Sequence, residues 1–196
     1  MESFKKYIND ELDVSVKAKQ DFVAKNMPEI LRAAELMAQI TLNNGKVMYF
    51  GNGGSAADAQ HLAAEHVNKL RVKRQALAAI AITTDTSIIT SIANDISFDE
   101  IFSRQLEAIA NPLDLVVAFS TSGDSKNVIM GLKKAKELGV KTLALTGGTG
   151  GLIKKQGLAD IILNVGGSDF SARIQETHIF LGHILIELMD KIVTNN

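Results

Sequence analysis

The chain has 196 residues, a formal net charge of −1 and no cysteine. Such a charge lacks the basic excess that binding to nucleic acid or to an anionic membrane requires, so we expect neither partner. Without cysteine there are no disulfides and no thiolate ligands, so a metal ion would need histidine, carboxylate or amide ligands. The polar N-terminus and the lack of an apolar run of about 20 residues predict a soluble cytoplasmic protein.

Two helices are predicted before the first strand. Apolar residues recur at helical spacing over residues 2–25. Residues 28–43 repeat the pattern and begin with a proline, which suits the first turn of a helix. Two helices are more than a minimal sheet domain needs. We therefore expect residues 1–45 to pack on the sheet domain and on neighbouring subunits.

A glycine-rich turn lies between the first strand and the next helix. Residues 47–50 form a short apolar run typical of a buried strand, and residues 56–65 are mostly strong helix formers. The turn at residues 51–55, Gly-Asn-Gly-Gly-Ser, lets the backbone approach a ligand closely. Free N–H groups and the helix dipole make this an anion site, although the same turn is typical of an ordinary strand-to-helix connection.

The rest of the chain alternates strands and helices. Further strands are predicted at residues 76–82, 113–119, 140–145 and 161–165. Helices are predicted at residues 83–92, 99–109, 126–138 and 152–156, and a loop at 166–169 leads into a long C-terminal helix at 171–193. Five strands in this order predict an open, doubly wound parallel α/β sheet of the flavodoxin-like type. No linker divides the chain, so we expect a single domain over residues 1–196.

A second candidate anion loop follows the third strand. Residues 120–125 read Ser-Thr-Ser-Gly-Asp-Ser and precede a predicted helix. Taken alone, this run also fits a helix cap with surplus serines. In a doubly wound sheet, however, both loops lie beyond the carboxyl ends of strands. Together they predict one phosphate pocket.

A dinucleotide site is the competing interpretation of the first loop. Gly51, Gly53 and Ala56 fit the loose pattern G-x-G-x-x-G/A. That fingerprint expects an acidic residue about 20 positions later, whereas Asp85 lies some 30 positions on and in a capping context. The interpretation also leaves residues 120–125 without a role. We expect no nucleotide cofactor, and the lack of a P-loop sequence argues against an NTPase.

A histidine and a carboxylate lie on one face of the helix after the glycine turn. His61 and Glu65 are spaced i,i+4, which is also the spacing of ordinary surface pairs. Beside a phosphate pocket, such groups suit proton transfer between adjacent carbons of a sugar phosphate. Phosphosugar binding without chemistry remains the alternative at this point. His66 points away from Glu65 and is expected at the surface or an interface.

The C-terminal helix carries further polar candidates. Gln175 and His183 lie near one face but are separated by about 12 Å along the axis. They would meet at one small site more easily if two copies of the helix contributed. His178 lies elsewhere on the helix and is expected to be structural or to support the site.

Seven motifs spread over nearly the whole chain resemble those of the sugar isomerase (SIS) family, and within it those of the sedoheptulose-7-phosphate isomerases. They are residues 50–55 (FGNGGS), 58–61 (DAQH) with Glu65, 93–95 (AND), 102–103 (FS), 120–125 (STSGDS), 145–147 (LTG) and 172–178 (ARIQETH). The resemblance implies an aldose–ketose isomerase that converts sedoheptulose 7-phosphate to D-glycero-D-manno-heptose 7-phosphate for lipopolysaccharide core synthesis. It also implies a homotetramer with active sites at subunit interfaces.

The resemblance further implies residue roles. Glu65 is the expected base and His183 the expected acid. The implied substrate-binding residues are Asn52, Gly53, Gly54, Ser55, Glu65, Asn94, Asp95, Ser120, Thr121, Ser122, Ser125 and Gln175. In some members one zinc ion per subunit is held by residues that match His61, Glu65, Gln175 and His183. Zinc accepts nitrogen and oxygen ligands, but a zinc-bound carboxylate is a poorer free base, so the two roles of Glu65 compete.

Two departures bear on this assignment. Some isomerases carry an acidic residue where this chain has Ala172, so no carboxylate role is expected there. A non-catalytic relative, a replication-initiator-associating protein, shares the fold and the run at residues 171–176. That subfamily lacks acidic and imidazole groups at the positions of Glu65 and His183. This chain has both, so the isomerase is preferred and the phosphosugar-binding module is the alternative.

Overall fold

The computed structural model describes residues 1–167 and 170–194, so Ser168 and Asp169 of the predicted loop lie outside it. The strands are β1 Val47–Phe50, β2 Ala79–Ala81, β3 Leu115–Ser120, β4 Lys141–Gly147 and β5 Ile161–Val165. The helices are α1 Glu2–Leu42, α2 Gly54–Val67, α3 Thr86–Asp95, α4 Ser103–Ile109, α5 Lys126–Glu137, α6 Gly151–Lys155 and α7 Ser171–Thr194, with a 3-10 turn at Phe98–Glu100.

The five strands form one parallel sheet in the order β2-β1-β3-β4-β5. This order confirms the predicted doubly wound sheet of the flavodoxin-like type. Its switch point lies between β1 and β3, where ligands bind in such sheets. Both of these strands are buried along their whole length, as expected for parallel strands that are covered on both faces.

Helices cover the two faces of the sheet in two separate layers. Successive side chains of β1 alternate between them: Tyr49 belongs to the hydrophobic cluster formed with α1, α2 and α7, whereas Phe50 belongs to the one formed with α4, α5 and α6. Such alternation follows from the two-residue period of a strand. As a result, α2 and α7 lie in the same layer and contact each other.

The N-terminal region is one continuous helix, so the prediction of two helices was wrong. Pro28 lies inside α1 and is exposed. A proline removes one backbone hydrogen bond, which predicts a break. However, Phe22 before it and Ile30 after it are both buried in the same cluster. Packing of the helix on one core both before and after Pro28 offsets the lost bond.

Two other elements differ from the prediction. Strand β2 has three residues rather than the predicted seven, because an edge strand has a partner on one side only and the apolar run alone does not define its length. The predicted helix at 99–109 is split into the 3-10 turn and α4. Ser97 caps the 3-10 turn by accepting a hydrogen bond from the Asp99 N–H. In the described part of the chain, no helix combines the length and the hydropathy needed to cross a membrane.

We predict that Pro28→Ala stabilises the protein by about 1–3 kcal/mol, because alanine restores the missing hydrogen bond in a helix interior. Urea unfolding followed by circular dichroism measures the change. Pro112→Ala is the matched control, since Pro112 is the other proline and lies outside any helix, and it should give no gain. An unchanged midpoint for Pro28→Ala would show that proline fits this helix without cost.

Candidate active site

Two loops lie side by side at the switch point of the sheet. The glycine turn follows β1 and the hydroxyl-rich loop follows β3, and these strands are direct neighbours. Gly53 has a φ of +55° where α2 begins, a conformation that favours glycine. A Cβ on Gly51 would lie 3.0 Å from the Cβ of Phe119, so the turn rests directly on β3. The prediction that both loops share one edge of the sheet is confirmed.

A reciprocal pair of amides joins the two loops. The Asn52 side chain donates to Asn127 Oδ1 at 2.8 Å, and the Asn127 side chain donates back to Asn52 Oδ1 at 2.9 Å. Asn127 is buried at the start of α5. Each amide thus satisfies the other and fixes the distance between the loops. Asn127 belongs to none of the sequence motifs, so its role was not predicted; its position just after the hydroxyl-rich loop was the one signal available.

The hydroxyl-rich loop is shaped by its own side chains. Ser120 Oγ donates to Ser125 Oγ at 3.1 Å and accepts a hydrogen bond from the Gly123 N–H at 3.1 Å. Thr121 Oγ1 lies 3.5 Å from Ser171 Oγ at the start of α7. A cavity of about 230 Å³ opens here, lined by Thr121, Ser122, Gly147, Gly148, Thr149, Ser171 and Ile174. Hydroxyl groups and a helix N-terminus at one cavity suit an anion such as a phosphate group.

Helices α2 and α7 run in the same direction and pack closely. Near their N-termini, a Cβ on Gly54 would lie 2.6 Å from the amide oxygen of Gln175. Two turns further on, a Cβ on Gly182 would overlap the side chain of Leu62. Both helices rise by nearly the same distance between these two contacts. Residues at the same level along the two helices therefore face each other.

Beside the contact of Leu62 with Gly182, the side chains of His61, Glu65 and His183 form a polar cluster. His61 Nε2 lies 2.8 Å from His183 Nε2 and 3.6 Å from Glu65 Oε1. One ligand atom from each residue lies within 4.8 Å of the others. Two imidazole nitrogens and a carboxylate oxygen at this spacing fit a zinc ion. The amide of Gln175 lies at Gly54, about two helical turns from His61, so one chain brings three of the four predicted ligands together.

Burial around the cluster favours the neutral form of two side chains, the His183 imidazole and the Asp58 carboxyl group. Burial and the neighbouring His61 lower the pKa of His183. Burial raises the pKa of Asp58, one turn before His61, to about 6. Asp58 Oδ2 is buried and has no hydrogen-bond partner among the described residues. No role for Asp58 was predicted from the sequence, because an aspartate inside a helix carries no signal of burial.

Of the remaining predicted residues, Asn94 and Asp95 lie apart from these groups. Asn94 and Asp95 lie at the exposed end of α3, where Asn94 donates to the Asp95 carboxylate at 2.7 Å. No hydrogen bond among residues 1–167 and 170–194 joins them to the two loops. Ser55 is buried at the first turn of α2, and Ser122 is exposed, where its hydroxyl accepts from the Asp124 N–H.

The other two histidines belong to the core. His66 was expected at the surface or an interface, but it is fully buried, with Nδ1 2.9 Å from the Tyr49 hydroxyl. The prediction that His66 points away from Glu65 was correct, but the side chain points into the hydrophobic layer that covers β1. His178 is also fully buried, and its Nε2 lies 3.0 Å from the Thr146 carbonyl oxygen. Burial lowers the pKa of each imidazole to about 4.

Comparisons with known proteins agree along the whole length of the chain. A sequence profile of the SIS domain matches residues 12–147. A Thermoplasma acidophilum protein named probable phosphoheptose isomerase is 50% identical over 166 residues, which cover 85% of this chain and 90% of that one. The solved phosphoheptose isomerase of Neisseria gonorrhoeae is 42% identical with a TM-score of 0.88, covering 96% of this chain and 99% of that chain. The phosphoheptose isomerase structure from Francisella tularensis is 38% identical with a TM-score of 0.90, covering 97% and 100%.

We predict that the buried His178 makes stability depend on pH. Its pKa is about 4 in the folded chain, against an ordinary value of 6.5, so the unfolded chain binds the extra proton between these values. Stability is therefore complete above about pH 6.5 and falls toward pH 4, by roughly 3 kcal/mol for this group. Urea unfolding of the intact protein and of His178→Gln across this range measures the contribution. The variant should show a shallower slope, and an equal slope in both would contradict the prediction.

Proposed function

The chain belongs to the SIS domain family and, within it, to the phosphoheptose isomerases, and we propose that it interconverts sedoheptulose 7-phosphate and D-glycero-D-manno-heptose 7-phosphate. The observation that carries the proposal is the placement of one helix. The N-terminus of α2 lies at two anion loops, and the same helix presents His61 and Glu65 to His183. A phosphate site and a proton-transfer site are thus held at a fixed separation.

The separation suits the length of the substrate. Ser55 and His61 are six residues apart, which is about 9 Å along a helix. Glu65 lies one turn further, but helical side chains lean toward the N-terminus, and its carboxylate lies close to His61. A phosphate at the start of α2 would therefore leave the other end of an extended seven-carbon chain near the cluster.

The phosphate would be held by hydroxyls and backbone N–H groups. Ser55, Ser120, Thr121, Ser122 and Ser125 supply the hydroxyls. Asn52 fixes the two loops together through Asn127, and Gly53, with nothing within 4 Å of its Cβ position, leaves the backbone open to the ligand. Because these groups are already in place, binding costs little reorganisation.

The chemistry follows from the two titratable side chains. The Glu65 carboxylate takes the C1 proton of the ketose, next to the C2 carbonyl, which leaves an enediol. His183 moves a proton between the two neighbouring oxygens, and the proton on Glu65 is then returned to C2 to give the aldose. The step is reversible, and no atom is gained or lost.

The cluster also supports binding of one zinc ion per subunit. His61, Glu65 and His183 would hold it, and the Gln175 amide of a neighbouring copy would supply the fourth ligand. When bound, zinc polarises the substrate oxygens that carry the reacting proton. Glu65 then serves as base to the extent that its second carboxylate oxygen stays free.

A homotetramer is supported by the first half of α1. Its exposed apolar side chains follow a helical spacing, and they are Phe4, Tyr7, Ile8, Leu12 and Val16. An open groove beside them is lined in part by Ile8, Leu12 and Ile179. Apolar surface of this kind is typical of subunit contacts. Assembly there would also bring a second copy of α7 near the site.

We predict that Glu65→Gln and His183→Gln each reduce turnover of sedoheptulose 7-phosphate at least 100-fold, because each removes a group that moves a proton. Formation of the aldoheptose phosphate is followed for both variants and for the intact protein, with and without a chelator. His178→Gln is the matched control, since that imidazole lies in the core. Loss of turnover with chelator, restored by zinc, would assign the metal a role.

The same assay separates the isomerase from the alternative function. A folded, zinc-supplied intact protein that binds sedoheptulose 7-phosphate but does not turn it over would contradict the isomerase. It would support the phosphosugar-binding module, which needs the two loops but neither Glu65 nor His183.

We predict that the double variant Ile8→Glu, Leu12→Glu dissociates the tetramer, because two charges would be buried in an apolar contact. Light scattering after size exclusion measures the mass. Lys17→Glu adds a negative charge on the opposite side of α1 and should leave the mass unchanged. An intact protein that is already monomeric would contradict the assembly.

A further inference from the structure

A buried ion pair lies at the far end of helices α2 and α7. Arg74, in the segment between α2 and β2, contacts Asp190 of α7 with Nε 2.5 Å from Oδ1. The two side chains are 3% and 1% exposed.

The same guanidinium caps the C-terminus of α2. Arg74 donates to the backbone carbonyl of Glu65 at 3.1 Å and to that of His66 at 2.9 Å. These carbonyls belong to the last turn of the helix, where intrahelical partners are missing and the dipole is negative. A further bond to the Gln75 carbonyl, at 3.1 Å, holds the guanidinium in place. Arg74 therefore binds the main chain of Glu65, the proposed base.

Asp190 connects Arg74 to α7, the helix that carries the proposed acid, His183. It lies seven residues after His183, which is two turns and about 10 Å along α7, on nearly the same face. At the level of the cluster, Leu62 packs against Gly182 without room for a side chain. The same two helices are thus held together beside the cluster and again at the Arg74–Asp190 pair.

We propose that Arg74 and Asp190 are positioning residues that set the distance between Glu65 and His183. This inference rests on the proposed isomerase function. A buried ion pair gives little net stability compared with apolar residues, whereas it fixes geometry through its directional bonds. Five N–H groups in a rigid fork reach two carbonyls of α2 and one carboxylate of α7 together, which a lysine ammonium cannot do.

Arg74→Lys tests this proposal, because it keeps the charge beside Asp190 and loses the fork. We expect kcat for sedoheptulose 7-phosphate to fall at least 10-fold with KM changed less than threefold, since the phosphate loops are untouched. Zinc affinity of the metal-free protein, measured by calorimetry, should fall about 10-fold. Asp190→Asn should give the same pattern, and the double variant should lose little more than either single variant.

Lys46→Arg is the matched control. It alters another ion pair with a fully buried carboxylate, Lys46–Asp114, which directly precedes β1 and β3 and joins neither α2 nor α7. Its kcat and zinc affinity should equal those of the intact protein even if its melting temperature falls. If Arg74→Lys lowers only the melting temperature, the pair is structural and the proposal is wrong. An intact protein without turnover would instead overturn the proposed function, and zinc affinity would still test the positioning.

Discussion

The close, parallel packing of α2 against α7 is the constraint on which the candidate site depends. Gly182 allows it, because any side chain there would overlap Leu62. With the helices in contact, His61 and His183 come within hydrogen-bonding distance although 122 positions separate them in the chain. The cluster is therefore a property of the helix pair, and neither helix could form it alone.

One helix serves both ends of the proposed reaction because the sheet fixes where it starts. Helix α2 begins at the switch point, where β1 and β3 are neighbours, so it starts beside the strand that leads into the hydroxyl-rich loop. Arg74 binds carbonyls of the last turn of this helix. Between these two anchors, the rise of the helix sets the distance between the proposed phosphate site and the proposed proton-transfer groups. In the proposed reaction, the helix therefore acts as a rigid spacer between the two.

Much of this arrangement could be predicted from the sequence, and the failures have physical causes. Apolar runs gave the five strands, and the strand–loop–helix pattern placed residues 51–55 and 120–125 on one edge. The prediction of a break at Pro28 was wrong because the helix packs on one core both before and after the proline, which overrides local propensity. The roles of Asn127 and of the ion pair of Arg74 with Asp190 could not be predicted from sequence motifs, since they arise from contacts between residues 75 and 116 positions apart.

The position of Gln175 is the reason for proposing that a neighbouring copy completes the site. Within one chain its amide lies at Gly54, about two turns from the cluster of His61, Glu65 and His183. The cluster itself is partly exposed at His61, so it is open to a neighbour. The apolar face of α1 supplies a reason for copies to associate, and α1 packs along α7. Assembly and catalysis would then be coupled through the same pair of helices, because the contact that buries α1 also sets where a second α7 lies.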